Sequence, residues 1–154
     1  MMKLAFVFPG QGSQSVGMLD AFSGSAAVRA LLEQADAALG ESLSTLIAQG
    51  PAETLALTVN TQPAMLATGY ACWLAWRDAG GPEPSAVAGH SLGEYTALTM
   101  AGAVEVADAL RLVRLRAQAM QEAVPVGQGG MAAILGLDDD KVRLNMEAAA
   151  AKSA

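Results

Sequence analysis

Hydrophobic and polar residues divide the chain into short apolar runs and longer segments with helical spacing. The short runs consist of β-forming or small residues and stop at glycine or proline, which favours buried strands; they are Lys3–Phe8, Ser85–Gly89 and Met131–Leu137. The longer segments repeat their apolar positions about every three to four residues, which predicts helices; they are Ala26–Leu39, Asn60–Ala79, a segment from about Leu92, Glu105–Ala123 and a last one capped by Asp138–Asp140. Strands that alternate with helices predict an α/β fold.

Glycine, proline and polar residues mark several of the predicted helix ends. Gly40 follows the first helical segment and should end it, because glycine readily adopts the left-handed conformation found after helices. Asn60 or Thr61 can cap the next helix, and Pro63 is compatible with its first turn.

The composition indicates a globular domain. Hydrophobic residues make up 53% of the 154 residues and charged residues only 16%, which allows a sizeable core. The formal net charge of −6 and the lack of a basic block argue against nucleic-acid binding. No run reaches the ~18 apolar residues of a membrane span, and Met1–Phe8 does not resemble a secretory leader, so a cytoplasmic location is expected.

The single cysteine and the single histidine limit redox and metal chemistry. Cys72 cannot form an internal disulfide, and its place in an apolar helical run predicts a buried structural thiol. One histidine and one distant cysteine do not make a metal site, so no metal is expected.

The segment Gly89-His90-Ser91-Leu92-Gly93 fits the G-x-S-x-G nucleophile elbow. In that motif a serine lies on a tight turn from a strand to a helix, and the flanking glycines avoid side-chain clashes. Ser91 is therefore the candidate nucleophile, and the backbone N–H of Leu92 would face a developing oxyanion. The alternative is a tight turn that carries a surface serine.

His90 is the only histidine of the chain, although a reactive serine normally needs a histidine base. Successive side chains of a strand point to opposite faces, so His90 is not expected to reach the Ser91 hydroxyl. We predict that His90 supports the structure of the turn.

A glycine-containing loop, Gly10–Gly17, follows the first predicted strand. It does not match the dinucleotide motif G-x-G-x-x-G, because Ser15 stands where the third glycine belongs, and it lacks the Gly-Lys-Ser/Thr of a P-loop. In open α/β sheets, ligands bind beyond the carboxyl ends of the strands. The backbone N–H of Gln11 could thus be a second oxyanion donor; a plain turn is the alternative.

Three arginines lie on the helix predicted near the end of the chain. Arg111 and Arg114 share a face that is expected to be solvated. Arg116 lies on an apolar face that should point inward, since its helical neighbours are Leu112, Val113, Ala119 and Met120. A buried guanidinium needs an anionic partner, which is either a protein carboxylate or a substrate carboxylate.

Four motifs occur together between about Lys3 and Lys141: Phe8-Pro9-Gly10-Gln11-Gly12-Ser13-Gln14, Thr61-Gln62-Pro63-Ala64, Gly89-His90-Ser91-Leu92-Gly93-Glu94 and Arg116. In this order and spacing they resemble the malonyl-CoA:acyl carrier protein transacylases of bacterial fatty-acid synthesis. The acyltransferase domains of polyketide synthases are close relatives of that family. Four motifs in register are far more specific than the G-x-S-x-G motif alone.

The resemblance implies a two-step transfer through an acyl-enzyme. Ser91 would take the malonyl group from malonyl-CoA, and the N–H groups of Gln11 and Leu92 would form the oxyanion hole. Arg116 would hold the malonyl carboxylate in a bidentate pair, which favours a substrate carboxylate as its partner. The acyl group would then pass to the phosphopantetheine thiol of acyl carrier protein, and no cofactor is expected. We predict a supporting role for Gln62.

The fold implied by the resemblance is a large α/β-hydrolase-like subdomain with a small ferredoxin-like insert. Residues 1–127 would be the amino-terminal part of the large subdomain, and residues 128–154 the first βα unit of the small one. Family members are considerably longer, and neither their catalytic histidine nor its orienting glutamine has a match here. We therefore expect a truncated chain with its carboxyl-terminal half as a partner, little activity alone, and aggregation through unpaired strand edges. The alternative is a one-domain protein in which Met131–Leu137 joins the main sheet.

The residues leave two other functions open. A serine hydrolase of the lipase or esterase kind would use the same elbow, but a neutral acyl ester does not require the carboxylate clamp at Arg116. A non-catalytic chain could fold only with a partner or bind acyl carrier protein without acting on it. Arg111 and Arg114 are candidate contacts for such binding, with a solvated helix face as the alternative.

Overall fold

Two short strands form a parallel sheet in the computed structural model. β1 (Ala5–Phe8) and β2 (Ala86–Gly89) are paired so that Phe8 lies opposite Gly89. Both strands fall within the two amino-terminal predicted strands, which are confirmed with slightly shorter bounds. Because parallel strands need a crossover connection, helices occupy the chain between them.

The structure describes residues 3–124 and 134–153. The chain divides into two compact units, Met1–Ala123 and Val124–Ala154. The predicted strand Met131–Leu137 lies partly outside the described residues, and its described part, residues 134–137, is not in a strand. The described residues are mostly helical with a small parallel sheet, which confirms the α/β class.

Most of the described chain is helical. The helices are α1 (Ala26–Leu39), α2 (Leu43–Gln49), α3 (Ala52–Leu55), α4 (Thr58–Asp78), α5 (Leu92–Met100), α6 (Val106–Ala123) and α7 (Asp139–Ser153). The five long helical predictions are confirmed. The sequence pattern missed α2 and α3, because helices of 7 and 4 residues are too short for hydrophobic periodicity to identify.

The carboxyl end of α1 is as predicted, whereas the start of α4 is not. Gly40 ends α1 in a left-handed conformation with φ 68°. α4 begins at Thr58, and neither Asn60 nor Thr61 caps it, because their side chains donate hydrogen bonds to carbonyl oxygens of α3. Pro63 consequently lies in the second turn of α4 rather than the first.

The core of the first unit is built around α4. This helix packs against α1, α5 and α6, and residues 61–67 are all buried. The buried apolar side chains form a cluster to which α1 to α6 all contribute, including Leu31, Ile47, Leu66, Leu92 and Leu110. α5 also packs against both strands. The core therefore holds α5 against both strands and α6 against α4 and α5.

α7 is the helix of the second unit. Asp139 and Asp140 stand in its first turn, where negative charge is favourable. The carbonyl oxygen of Asp138 accepts the N–H groups of Lys141 and Val142. Of the helices that the structure describes, none has the length and apolar character needed to cross a bilayer.

Candidate active site

Ser91 lies on a sharp turn between β2 and α5. β2 ends at Gly89 and α5 begins at Leu92, so His90 and Ser91 alone make the connection. Ser91 has φ 53° and ψ −108°, and it is the only non-glycine residue with positive φ in the described ranges. Backbone strain of this kind is concentrated at functional sites and is a property of the nucleophile elbow. Ser91 is also exposed, as its predicted role as a nucleophile requires.

The glycines on either side of Ser91 are required by the packing of the turn. A Cβ atom on Gly89 would lie 2.0 Å from the carbonyl carbon of Gly93. A Cβ atom on Gly93 would lie 2.2 Å from the carbonyl oxygen of Phe8. Real Cβ atoms do not approach backbone atoms this closely, so a side chain at either position would force the backbone to shift. The two glycines let α5 start directly against the ends of both strands.

Backbone hydrogen bonds hold the turn and the start of α5. The N–H of His90 donates to Phe8 O at 3.1 Å, and the N–H of Gly93 donates to His90 O at 2.9 Å. The N–H of Glu94 donates to Ser91 O at 3.2 Å. Within the described part of the chain, these bonds leave the Leu92 N–H as the group at this helix start that is open to an anion.

The loop after β1 lies against the elbow. A Cβ atom on Gly10 would be 3.0 Å from His90 Nδ1 and 3.2 Å from His90 O, so the two segments are in close contact. The side chain of Gln11 donates from Nε2 to Thr58 Oγ1 at 3.1 Å, which anchors the loop to the start of α4. The Gly12 N–H donates to Gln14 Oε1 at 2.9 Å. The role of the Gln11 backbone N–H as an oxyanion donor stays a prediction.

Arg116 of α6 reaches the oxygen of Ser91. Its Nη2 donates to Ser91 Oγ at 2.9 Å, and its Nη1 donates to Gln62 Oε1 at 2.7 Å. Its Cζ lies 5.8 Å from the centre of the Tyr95 ring, within the range of a cation–π contact. The ion pairs among the described residues do not include Arg116. Both acceptors of this guanidinium are therefore neutral, and its charge has no carboxylate partner in the described chain.

The surroundings of Arg116 differ from the inward apolar face that the sequence predicts. Of its helical neighbours, Val113 is buried, whereas Leu112 and Met120 are exposed at 45% and 38%. α6 turns this side of its surface toward the elbow and only partly toward the core. The predicted alternative of an internal carboxylate partner finds no support in the described residues.

The prediction that Arg111 and Arg114 share a solvated face is wrong for Arg114. Arg111 is exposed and pairs with Asp108 on its own helix at 2.9 Å. Arg114 is half-buried, pairs with Glu41, and donates from Nη1 to Asn60 Oδ1 at 3.0 Å. Desolvation lowers the pKa of Arg114 from its ordinary value. Because Arg114 ties α6 to α4 and to the loop after α1, the two arginines do not form one surface patch for a partner.

Gln62 stands behind Arg116 in the wall of the site. Its side chain is fully buried and accepts from Arg116 Nη1, while its Nε2 lies 3.2 Å from Met120 Sδ. The sequence motif around Gln62 predicts a supporting role without naming a contact. Tyr95 and Met120 were not predicted as site residues, and their only indication in the sequence is proximity to Ser91 and helical spacing from Arg116.

The Ser91 hydroxyl accepts a hydrogen bond from Arg116, and in the described residues no hydrogen bond joins it to the His90 side chain.

Cys72 is exposed, which contradicts the prediction of a buried thiol. α4 presents its side chain beside β1, in an open apolar cleft with Phe6 and Thr68. Partial burial nevertheless raises the pKa of its thiol. No three His, Cys, Asp or Glu side chains in residues 3–124 and 134–153 are grouped to hold a metal ion.

Comparison with known proteins identifies the family. A family model described as the acyl transferase domain matches residues 5–150. The chain belongs to the acyl transferase domain family. Among the curated members, the malonyl CoA-acyl carrier protein transacylase of Salmonella typhimurium is 54% identical over 143 residues, and that of Escherichia coli is 52% identical over 151 residues. These alignments cover 92% and 97% of this chain.

Solved structures of the acyl transferase family share the fold. An acyl-carrier-protein S-malonyltransferase from Burkholderia pseudomallei is 67% identical, with a TM-score of 0.86 over 97% of this chain and 49% of its own. A malonyl-transacylase solved in complex with a type II polyketide acyl carrier protein is 48% identical, with a TM-score of 0.85 over 95% of this chain and 48% of its own. The chain spans 46% and 49% of the Salmonella typhimurium and Escherichia coli proteins, about half the length of these relatives.

Proposed function

We propose that this chain carries the nucleophile and the carboxylate-binding arginine of a malonyl-CoA:acyl carrier protein transacylase. The observation that carries the proposal is the contact of Arg116 with Ser91 Oγ, made by a guanidinium without a carboxylate partner in the described chain. A cation placed beside the nucleophile suits an acyl group that brings its own carboxylate. The names of the curated relatives support the same substrate and carrier.

The proposed chemistry has two acyl transfers. Ser91 Oγ attacks the thioester carbonyl carbon of malonyl-CoA, the new C–O bond forms, and the C–S bond breaks to release coenzyme A as its thiol. The phosphopantetheine thiol of acyl carrier protein then attacks the ester and regenerates Ser91. The N–H groups of Leu92 and Gln11 stabilise the oxyanion in both steps, and losing one such donor typically costs about 10²–10³ in rate. Neither step uses a cofactor.

Arg116 has a selective role in this scheme. Its Nη2 donates to Ser91 Oγ in the structure, which is the contact that a malonyl carboxylate would replace. A carboxylate accepts two parallel hydrogen bonds from a guanidinium and is a stronger acceptor than a hydroxyl. Malonyl binding would thereby release the Ser91 hydroxyl for attack, whereas an acetyl group offers Arg116 no such exchange.

The proposed base for Ser91 lies outside these 154 residues. His90 is the only histidine in the sequence, and its backbone serves the turn beside Ser91. The relatives are about twice as long as this chain. We assign the proton acceptor to a segment equivalent to their remaining half, which is accordingly a proposed partner, along with malonyl-CoA and acyl carrier protein.

The finer fold assignment belongs to the same proposal. Residues 1–127 would form the amino-terminal part of an α/β-hydrolase-like subdomain, and residues 128–154 the start of a ferredoxin-like one. The division of the chain into units at Val124 supports a boundary in this region. The relative solved with acyl carrier protein supports that protein as the acceptor. A cytoplasmic location is predicted together with this function.

The test supplies the remaining half in trans. The chain is mixed with a polypeptide comprising the half of the Escherichia coli relative that this chain does not cover, and then with malonyl-CoA and acyl carrier protein. Intact mass and peptide mapping should find a malonyl ester on Ser91 and malonyl-loaded carrier. The chain alone should give little or no transfer, because Ser91 lacks a base.

Two variants and one competing substrate decide the outcome. Ser91→Ala should abolish the ester, and Arg116→Ala should reduce the preference for malonyl-CoA over acetyl-CoA by about 10- to 100-fold. A complex of folded halves that leaves Ser91 unmodified would overturn the proposal. Equal labelling by malonyl and neutral acyl esters, unchanged in Arg116→Ala, would instead favour a serine hydrolase.

A further inference from the structure

Gln62 is a polar residue in a buried stretch of α4. It lies within residues 61–67 of α4, all of which are buried, and its own side chain has no exposed surface. A buried amide is costly unless its polar atoms have partners. Among the described residues Gln62 has two such partners, Arg116 on the side of the oxygen and Met120 on the side of the nitrogen.

The two contacts determine the orientation of the Gln62 amide. A guanidinium only donates hydrogen bonds, so the atom that faces Arg116 Nη1 at 2.7 Å must be the amide oxygen. The amide nitrogen then faces Met120 Sδ at 3.2 Å, and a thioether sulfur is a weak acceptor. Arg116 and Met120 both lie on α6, one helical turn apart. A single side chain of α4 is thus fixed between two residues of α6.

This arrangement constrains the arginine in turn. An arginine side chain has several rotatable bonds, and an unconstrained guanidinium would sample many orientations above the elbow. Gln62 Oε1 accepts a hydrogen bond from Nη1 of the guanidinium, and Nη2 of the same group then donates to Ser91 Oγ at 2.9 Å. Because Gln62 is neutral, it fixes the guanidinium without neutralising its charge. A glutamate in its place would hold the guanidinium equally well, but it would form an ion pair that neutralises the charge.

We propose that Gln62 is a positioning residue that sets the preference of the site for acyl groups bearing a carboxylate. It acts by orienting the Arg116 guanidinium over Ser91 while leaving the charge available, and Met120 acts by fixing the Gln62 amide. This inference rests on the proposed function, in which Arg116 receives the malonyl carboxylate. It adds that a residue without contact to Ser91 determines how well that carboxylate is bound.

The test compares three variants of the 154-residue chain by two measurements. Gln62→Met keeps the approximate volume and removes the acceptor, Gln62→Glu keeps an acceptor and adds a charge, and Met120→Leu removes the sulfur. Calorimetric titration gives the affinities for malonyl-CoA and acetyl-CoA. Nitrogen-15 NMR reports whether the guanidinium hydrogens of Arg116 exchange slowly, as a bond to a buried oxygen requires.

The variants should separate positioning from charge. Gln62→Met should weaken malonyl-CoA binding about tenfold or more, leave acetyl-CoA binding unchanged and lose the slow Arg116 signal. Gln62→Glu should weaken malonyl-CoA binding as strongly but keep that signal, because its carboxylate holds and neutralises the guanidinium. Met120→Leu should have a smaller effect in the same direction as Gln62→Met.

The outcomes distinguish this inference from the proposed function. If the wild-type chain does not prefer malonyl-CoA and Arg116→Ala changes nothing, the proposed function fails, whatever Gln62 does. If the wild-type chain prefers malonyl-CoA and Gln62→Met retains both that preference and the slow Arg116 signal, the positioning role is overturned. A Gln62→Met chain that fails to fold leaves the decision to Gln62→Glu. Equal loss of both coenzyme A esters in Gln62→Glu, together with loss of the Arg116 signal, would indicate a merely structural residue.

Discussion

Gly93 lies so close to Phe8 that a Cβ atom on Gly93 would come within 2.2 Å of the Phe8 carbonyl oxygen. Gly93 is the second residue of α5, and Phe8 is the last residue of β1. The first turn of the helix after Ser91 therefore touches the backbone of the neighbouring strand. The position of Ser91 depends on this contact, because α5 begins immediately after it.

The contact predicts that Gly93→Ala destabilises the fold. The added methyl group meets backbone atoms that cannot move aside without separating α5 from β1. The free energy of unfolding should fall by about 2–3 kcal/mol, as for other overpacked sites. Urea unfolding of Gly93→Ala and of Gly24→Ala measures the effect. Among the described residues, a Cβ atom on Gly24 would meet nothing within 4 Å beyond its chain neighbours, so this control substitution should change the stability by less than about 1 kcal/mol. Similar values for the two variants would contradict the prediction.

The backbone conformation of Ser91 predicts that a residue with a Cβ atom at this position lowers the stability of the fold. With φ 53° and ψ −108°, Ser91 occupies a conformation that glycine adopts more readily than any residue with a Cβ atom. Ser91→Gly should therefore be more stable than Ser91→Ala by about 1 kcal/mol or more, although both remove the hydroxyl. Chemical unfolding of the two variants, which are equally unable to form an ester, tests this. An alanine variant as stable as the glycine variant would show that the turn is unstrained.

The half-buried position of Arg114 predicts that its replacement destabilises the fold more than the replacement of Arg111 does. Arg114→Met removes a hydrogen bond to Asn60 and an ion pair with Glu41, and it should cost about 1–2 kcal/mol of unfolding free energy. Arg111→Met is the matched control, since in the described part of the chain Arg111 has just an exposed pair with Asp108, and it should change stability by about 0.5 kcal/mol or less. Thermal unfolding of both variants provides the measurement. A larger loss of stability in Arg111→Met than in Arg114→Met would contradict the prediction.

The environment of Cys72 predicts slow thiol chemistry despite exposure. Partial burial raises the pKa of its thiol, so the folded chain holds the neutral form to higher pH than an unfolded chain does. Near pH 8 a smaller fraction is thiolate, and iodoacetamide should react more slowly with Cys72 than with a cysteine peptide or the urea-unfolded chain. The rate should still rise with pH after the peptide has levelled off. A plateau at a lower pH than that of the peptide would contradict the prediction.

The features that the sequence predicts correctly are those that local chemistry determines. The elbow is one, because two glycines, a short apolar strand and a helix start together define the turn at Ser91. The bounds of α1 are another, because Ser25 caps one end and Gly40 ends the other. Helices α2 and α3 escaped prediction since their few apolar positions do not establish a period.

The partners of the arginines depend on contacts that no local pattern contains. Arg116 and Gln62 are 54 positions apart, as are Arg114 and Asn60, so each pair meets only after α4 and α6 have packed. Helical spacing placed Arg116 on an apolar face but did not show that this face borders the elbow. The same limit explains Cys72, whose apolar neighbours in sequence did not reveal that its side of α4 lies beside an open cleft.

The pairing of β1 with β2 joins distant parts of the chain. Ser85, just before β2, donates hydrogen bonds to the carbonyl oxygen of Leu4, 81 positions earlier. A ribosome adds about 5–20 residues per second, so β1 waits several seconds for its partner strand during synthesis. The turn at Ser91 can form only after that wait, because α5 has to close onto the end of β1. In a nascent chain the strained backbone of Ser91 is therefore a sign that β1 and β2 have paired.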